Sequence, residues 1–388
     1  MTRVNAARAL VAVPSVAPDE ARVVHVVVAG EAAGAERLLL DLVTHAEHTR
    51  ATHAIALFTP SERVADHFGR VNNGEGARVF DRGRVRENPI AYLWRSLGPS
   101  DTAWLEGVLR ETHANIVHLH TFASHVLGTR AALRTGARIV RTEHDTRHFV
   151  DPSCSPFTRW SLRRSHTVVA VASHVADYVA RTAPYASERI TVVRNGVDTE
   201  YFSPVLRARD PHAPFTFVTV ARLEASKQVD VAIEALARVQ SARLVIVGDG
   251  SQRRKLERTA RAWRVADRVE FRGFLPDPRA AIAEADAALS ASRRESFGLS
   301  VLEAMAMGKP VVAFAVGGIR ELVQHGKTGW LARSLTASEL AARMQEAADR
   351  PERARAMGMR AREWAARECA VTAMCAGYAE VYAKLLRA

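Results

Sequence analysis

Cysteine is scarce in this chain. Cys154, Cys369 and Cys375 are the only three in 388 residues, odd in number and scattered, with Cys154 far from the other two. They form neither a disulfide framework nor a metal-ligand spacing, so a reducing compartment fits and a stapled secreted scaffold does not. Lysine is nearly as rare, with five among 54 basic residues. No uninterrupted apolar run reaches the ~18 residues that would cross a bilayer, so no spanning helix is expected. The opening stretch MTRVNAARALVAVPSVAPDEA has a short apolar run broken by Pro14 and Pro18. It reads as a disordered tail, 1–21, and is too short in its apolar part for a signal peptide.

What the chain has is arginine. Net charge is +12. Such an excess suits a polyanion, an anionic membrane or an anionic small substrate. The arginines fall in short groups, such as Arg159, Arg163 and Arg164, and not in one block. Biased codon usage therefore accounts for the excess slightly better than any single partner.

Short β-branched runs alternate with helical patterns. Residues 22–30, 52–58, 115–122, 138–144, 167–173 and 190–196 read as strands, and a helix is expected around 36–43. Strands that are apolar throughout and joined by helices argue for a parallel sheet covered on both faces. The pattern pauses at 197–214, which has three prolines and no periodicity. It restarts with strands at 215–223, 243–250, 269–274, 286–292 and 310–315. Helices are expected near 228–240, 252–265, 278–285 and 300–307, and the tail 339–388 is helical in pattern. The expected architecture is α/β, with two doubly wound Rossmann-like domains facing across a cleft. A tail, 1–21, precedes a first domain, 22–200. A linker, 201–214, leads to a second domain, 215–365, and a crossover helix, 366–388, returns to the first. Ligands in such sheets sit beyond the carboxyl ends of the strands, which makes the interdomain cleft the natural site.

Two carboxylates, Glu295 and Glu303, stand out in ESFGLSVLE. One reading is structural: Ser300 is a good N-cap, Glu303 completes a capping box, and Gly308 and Pro310 stop the helix. A glycosidase pair needs carboxyl groups ~5–9.5 Å apart across a bond, which this spacing would meet only by accident. A third reading takes the helix start as an anion site, with a carboxylate on either side to accept hydrogen bonds from hydroxyls. That arrangement suits a sugar nucleotide.

The surrounding residues carry a resemblance. The run from RRESFGLSVLEAMAMGKPVVA through VGGIRELV to GKTGWL resembles the signature of retaining GT-B glycosyltransferases of family four (glycosyltransferase group 1). GAERLLLDL (34–42), IVHLHT (116–121), RTEHD (141–145), VVAVASHVADY (168–178), VVRNGVDTEYF (192–202), VARLEASKQVDVAIEAL (220–236), LVIVGDG (244–250) and FRGF (271–274) match further family segments in order. The match spans 22–330.

The resemblance implies a nucleoside-diphosphate sugar, UDP-sugar favoured and GDP-sugar possible, bound by the second domain, and an acceptor bound by the first. Arg222 and Lys227 would hold the diphosphate. Glu295 would contact sugar hydroxyls near the reacting carbon, and Glu303 the ribose. Amides of Phe297, Gly298 and Leu299, with Ser300, would cradle sugar and phosphate. Gly248 and Gly250 would permit close backbone approach, and Phe274 would lie at the base. His120 would bond the donor sugar, with His144 a second candidate for that bond. Strand alternation is expected to point His118 the other way, which leaves the reading as a satisfied core histidine open for it. Gly34, Glu36 and His144 belong to the acceptor side. The family's first loop usually reads Gly-Gly, and here the first position is Ala33. The catalytic group is therefore expected to be Glu295, His120, Arg222 and Lys227, with same-face attack. No Asp-x-Asp occurs, and neither a metal nor a cofactor is expected.

Two rivals remain: a nucleotide-sugar epimerase of the same fold and a non-enzymatic polyanion binder. The enzyme is expected in the cytoplasm, without nucleic acid and with at most weak peripheral membrane contact. FTRWSLRRSH (157–166) is the one candidate for such contact. A small-molecule or saccharide acceptor is favoured over a lipid-linked one.

Overall fold

The computed structural model describes residues 20–29, 34–72, 77–86, 89–205, 210 and 212–387. Most of the expected tail, four linker residues at 206–209, residue 211 and Ala33 lie outside them.

The β-branched runs form two parallel sheets. The first contains β1 (Ala21–Val28), β2 (Ala51–Thr59), β3 (Arg78–Arg84), β4 (Ile116–Leu119), β5 (Arg138–Glu143), β6 (Thr167–Ala170) and β7 (Ile190–Val192), in the order β3-β2-β1-β4-β5-β6-β7. The second contains β8 (Phe215–Val220), β9 (Ala242–Val247), β10 (Val269–Gly273), β11 (Ala287–Ser290), β12 (Val311–Phe314) and β13 (Gly329–Ala332), in the order β10-β9-β8-β11-β12-β13. Helices cover both faces of each sheet, so the central strands are buried on both sides. Strand order reverses between β1 and β4 and between β8 and β11, which opens a crevice at the carboxyl ends of those strands. This is the two-domain GT-B architecture.

Several elements depart from the sequence expectation. β3 and two helices, Pro89–Leu97 and Pro99–Glu111, fill the stretch between the second and third expected strands. β3 is an edge strand reading RVFDRGR, and charge on an edge strand erases the apolar run that marks a central one. β13 is only four residues long. The tail is three helices: Ala337–Ala348, Pro351–Glu368 and Val371–Arg387. Residues 366–368 finish the middle helix, and the returning helix starts at Val371, five residues later than expected. Proline at the first helical position sets the middle helix's start.

The return crosses directly beside the outgoing chain. Val197 N–H donates to Cys369 O, and Val371 N–H donates to Val197 O, each at 2.9 Å. Gly196 has no room for a side chain here, because a Cβ would lie 2.7 Å from Val371 Cα. The last helix then lays Met374, Cys375, Tyr378 and Tyr382 against Val23, Ile116, Val140 and Val169 of the first sheet. A separate apolar cluster joins the domains, running from Val168, Val175 and Val179 to Phe297, Ile319 and Val311. Among the described residues no helix is long and apolar enough to cross a membrane. In the helix Ser155–Arg164, Thr158, Ser161 and Leu162 are buried, and the Arg164 guanidinium lies 4.7 Å from the Trp160 ring centroid.

Candidate active site

The signature helix runs Leu299–Ala306. Its N-cap is Gly298, at φ 102°, and no side chain caps it. Ser300 is therefore already inside the helix, and the expected capping box does not form. Glycine suits Gly298 twice over: its φ is left-handed, and a Cβ would meet Ile319 Cδ1 at 2.7 Å. Val301 and Leu302 N–H both turn back to Gly298 O at 3.0 Å, which leaves the N–H groups of Leu299 and Ser300 without a partner within the helix, beside the crevice that Ser300 lines.

Glu295 lies in the loop before it. Its Oε1 accepts from Ser292 Oγ at 2.9 Å and from the Lys227 ammonium. Lys227 ends a short turn, Ala225–Lys227, after β8. Thr219, Lys227, Ser292, Glu295, Ser300 and Ala304 line one small crevice. Gly317 and Gly318 of the VGGIREL segment press on this loop from behind. Gly318 N–H donates to Glu295 O at 3.0 Å, and a Cβ on Gly317 would lie 2.0 Å from that same oxygen.

Arg222 follows β8 as well and pairs with Glu224 at 2.9 Å, its side chain about half exposed. Gly248 and Gly250 do permit close approach, but of protein backbone. A Cβ would meet Ala221 O at 1.9 Å in the first and Leu223 O at 2.7 Å in the second. These glycines hold the Arg222 loop in place, together with Leu223 N–H donating to Asp249 O at 2.8 Å.

Glu303 is half-buried in the helix and faces Arg37 and Asp41 of the helix Gly34–Thr44. Burial pushes its carboxyl up to about 7; Arg37 opposes this, and Asp41 and Asp277 add to it. Arg37 in turn pairs with Asp41 at 3.2 Å. The two segments meet closely: a Cβ on Gly34 would lie 3.3 Å from Leu299 Cδ1. Glu36, one turn in, is buried. Phe274 is 54% exposed, with the Arg63 guanidinium of the first domain 5.1 Å from its ring centroid.

The histidines require two corrections. His118 and His120 share one face of β4, as residues two apart on a strand must, and their ring centroids are 4.0 Å apart. His118 is nonetheless a satisfied core residue, bonded to Thr142 Oγ1 at 2.7 Å and Tyr382 Oη at 2.8 Å. His120 is buried, and both its ring nitrogens face other histidines: Nε2 is 2.9 Å from His25 Nδ1 and Nδ1 is 3.4 Å from His144 Nε2. It has no free nitrogen for a sugar. Of His118, His120 and His144, it is His144, half-buried just past β5, that keeps a ring nitrogen, Nδ1, without a hydrogen-bond partner among the described residues.

Among the described residues two groups bring three ligand-type atoms within 4.8 Å: His25, His118 and His120, and His125, Glu143 and His148. In the first, each ring is hydrogen-bonded through both nitrogens. In the second, Arg141 Nε sits on Glu143, a fixed cation where an ion would go.

Sequence reading missed a contact across the domains. Glu321 accepts from Ser173 N–H at 3.0 Å and His174 N–H at 2.9 Å, capping the helix Ser173–Thr182 from the opposite domain. Burial opposes its ionisation, yet these amides hold Glu321 below the usual carboxylate range. Both partners stand in the segments that carried the resemblance, ASH and GGIREL, but only three dimensions join them.

With this geometry in place, comparison with known proteins is informative. Residues 207–364 match the family Glycosyl transferases group 1, and residues 32–201 match Glycosyltransferase Family 4. A GDP-mannose-dependent alpha-(1-6)-phosphatidylinositol monomannoside mannosyltransferase of Mycobacterium tuberculosis is 30% identical over 358 residues, covering 85% of this chain and 89% of the relative. N-acetyl-alpha-D-glucosaminyl L-malate synthase of Bacillus anthracis is 28% identical over 295 residues, covering 72% and 77%. Among solved structures, Anabaena Alr3699/HepE in complex with UDP and glucose superposes with a TM-score of 0.77 at 22% identity, covering 93% of this chain and 99% of that one. Sucrose-phosphate synthase from Thermosynechococcus elongatus gives 0.81 at 20% identity, covering 95% and 100%. The chain belongs to the group 1 glycosyltransferases.

Proposed function

We propose that this protein transfers a sugar from a nucleoside-diphosphate sugar to an acceptor hydroxyl, with retention at the anomeric carbon and without a divalent metal. The observation that carries this reading is the Lys227–Glu295 pair beside the uncapped start of the helix Leu299–Ala306. An ammonium, a row of N–H donors and a carboxylate converge on one crevice, which is the set a sugar diphosphate requires.

Each group then has a task. Lys227 and Arg222 neutralise the charge that builds on the leaving diphosphate, together with the helix start. Glu295 accepts hydrogen bonds from the transferred sugar, and Ser292 and Lys227 hold it in one rotamer. Glu303 accepts from the ribose, and Phe274 lies beside the base. The acceptor enters from the first domain, along Gly34, Glu36 and His144. The attacking hydroxyl passes its proton to the leaving phosphate on the same face of the sugar.

A UDP-sugar is our first choice of donor, because the Anabaena neighbour was solved with UDP and glucose. The GDP-mannose-dependent mycobacterial relative makes a GDP-sugar the second. We favour a small-molecule or saccharide acceptor in the cytoplasm, because the arginine-rich helix Ser155–Arg164 buries Leu162 and half-buries Phe157 and Trp160, which leaves no broad apolar face for a bilayer. A donor panel scored by release of UDP or GDP tests the reading. Arg222→Ala and Lys227→Ala should each weaken nucleoside-diphosphate binding in calorimetry, and unchanged affinity in both would remove the phosphate role. Donor turnover that needs no acceptor would point to an epimerase. Strong sedimentation with anionic vesicles at physiological salt would move the acceptor to a lipid.

A further inference from the structure

The far end of the signature helix is fastened to the chain that leaves the first domain. The last four carbonyls of a helix have no partner inside it. Here all four are taken. Glu303 O accepts from Met307 N–H at 3.1 Å, Ala304 O from Lys309 N–H at 2.9 Å and Met305 O from Gly308 N–H at 2.9 Å. Ala306 O accepts instead from a side chain, Arg362 Nη1 of the helix Pro351–Glu368, at 2.7 Å. The same nitrogen donates to Thr199 O at 2.7 Å and to Phe202 O at 2.9 Å, sharing its two hydrogens among three carbonyls. Thr199 and Phe202 belong to the outgoing crossing that starts at Val197. A cation here also complements the negative end of the helix dipole, whose positive end lies at the crevice.

The crossing is gripped from both domains. On the second, Arg279 Nη1 donates to Tyr201 O at 3.2 Å, and its guanidinium lies 3.7 Å from the Tyr201 ring centroid. On the first, the Arg37 guanidinium lies 5.9 Å from the Tyr201 centroid and 5.5 Å from the Phe202 centroid, within cation–π reach. Arg37 stands one turn into the helix Gly34–Thr44, and Gly34 is packed against Leu299 at the start of the signature helix. These two helices, one from each domain, are therefore joined at two points. One is direct, at Gly34 and Leu299. The other runs from Arg37 through Tyr201 and Phe202 to Arg362 and Ala306. A single contact leaves a rod free to pivot, whereas two fix its direction. A tilt of about 5° over the ~12 Å of an eight-residue helix displaces one end by about 1 Å. A misplacement of that size can cost about a hundredfold in rate.

We propose that Arg362 is a positioning residue for glycosyl transfer: it ties the end of the signature helix to the crossing that Arg37 grips, and so aims the start of that helix at the first domain. Loss of the tie misaligns the two halves of the site while leaving every group assigned to the donor in place. Its use in transfer rests on the glycosyl-transfer reading; the tie between the domains does not.

The test has a kinetic arm and an exchange arm, both on the whole protein. Turnover is scored as UDP released from UDP-glucose, or GDP from GDP-mannose, with a saccharide acceptor panel. Arg362→Met should lower kcat about tenfold or more, while UDP and GDP affinities in calorimetry stay unchanged. Arg362→Lys, with three N–H for the three carbonyls, should restore most of the rate. Tyr201→Ser cuts the same tie at a partly exposed ring, and it serves equally should Arg362→Met fail to fold. The double variant should be no slower than the slower single, since both break one connection. Effects on kcat that multiply would overturn the proposal. So would a loss of nucleoside-diphosphate affinity equal to the loss in kcat, because Arg362 would then only support the donor helix. In ligand-free protein, Arg362→Met should speed amide hydrogen exchange in the helix Gly34–Thr44 of the other domain. Exchange altered only in 199–202 and 299–306 would overturn the tie. If the unmodified protein binds neither UDP nor GDP, the transfer reading fails, and the exchange arm still decides whether Arg362 joins the domains.

Discussion

Glu295 is held by the cation expected to meet the phosphate, so its removal has two opposed effects. Glu295→Ala takes away an acceptor near the reacting sugar and should cost about 2–4 kcal/mol of transition-state stabilisation. It also frees Lys227, so nucleoside-diphosphate affinity should not fall. Single-turnover rates with parallel calorimetry separate the two, and a near-normal rate would contradict the assigned role. Glu303 provides a pH signature. Its folded-state value of about 7 lies above the 4.5 expected unfolded, so the folded protein binds the extra proton between these values. Stability from this group is present below about 4.5 and is lost as pH rises to about 7, by at most about 3 kcal/mol. Glu303→Gln should flatten that part of the pH profile in thermal unfolding, and an unaltered slope would place the titration elsewhere. At this scale the sequence was informative about residue identity and weak on geometry. The motifs named Glu295, Glu303, Arg222 and Lys227, but spacing could not say that His120 would be occupied by His25, a residue 95 positions away. His25 and His53 sit in apolar runs, VVHVVV and THAIAL, where a histidine gives no signal of its partner.

The central strands were legible as elements because their burial on both faces leaves an apolar run. β3 was not, because an edge strand can be charged, and neither was β13, which opens on Gly329 and holds no β-branched residue. The signature helix was placed within a residue, yet its start was assigned to the wrong mechanism: Ser300 has the chemistry of a cap, but Gly298 occupies the position. The purpose of Gly317 was equally hidden, since it depends on a loop 22 residues earlier. Gly317→Ala should be among the more damaging single changes. It combines φ 41° with a Cβ 2.0 Å from Glu295 O, so the Glu295 loop must shift. Strain alone should cost about 1 kcal/mol or more, read as a lower melting temperature together with weaker donor binding. Gly69→Ala, with open space at its Cβ, is the control.

For the whole molecule, the resemblance in sequence gave two sheets and a cleft, whereas the contacts that bring the domains together are carried by side chains on separate segments. Glu321 caps a helix of the other domain, so Glu321→Ala should remove that cap and favour an open arrangement. Small-angle scattering should report a larger radius of gyration without loss of either sheet's secondary structure; unchanged dimensions would mean that the apolar cluster alone holds closure. The effect should also appear in unmodified protein as pH falls, because a carboxylate held below its usual range stabilises at higher pH and loses that contribution on protonation. The paired crossings at Val197 and Ala370 have a consequence for how such a chain can diversify. The chain leaves the first domain and re-enters it at adjoining residues, so the second domain is a cassette inserted into a host that otherwise runs from the first strand to the last helix. With the donor on the second domain, as proposed above, exchanging that cassette between relatives at these two junctions should change the sugar delivered without rewriting the surface that selects what receives it.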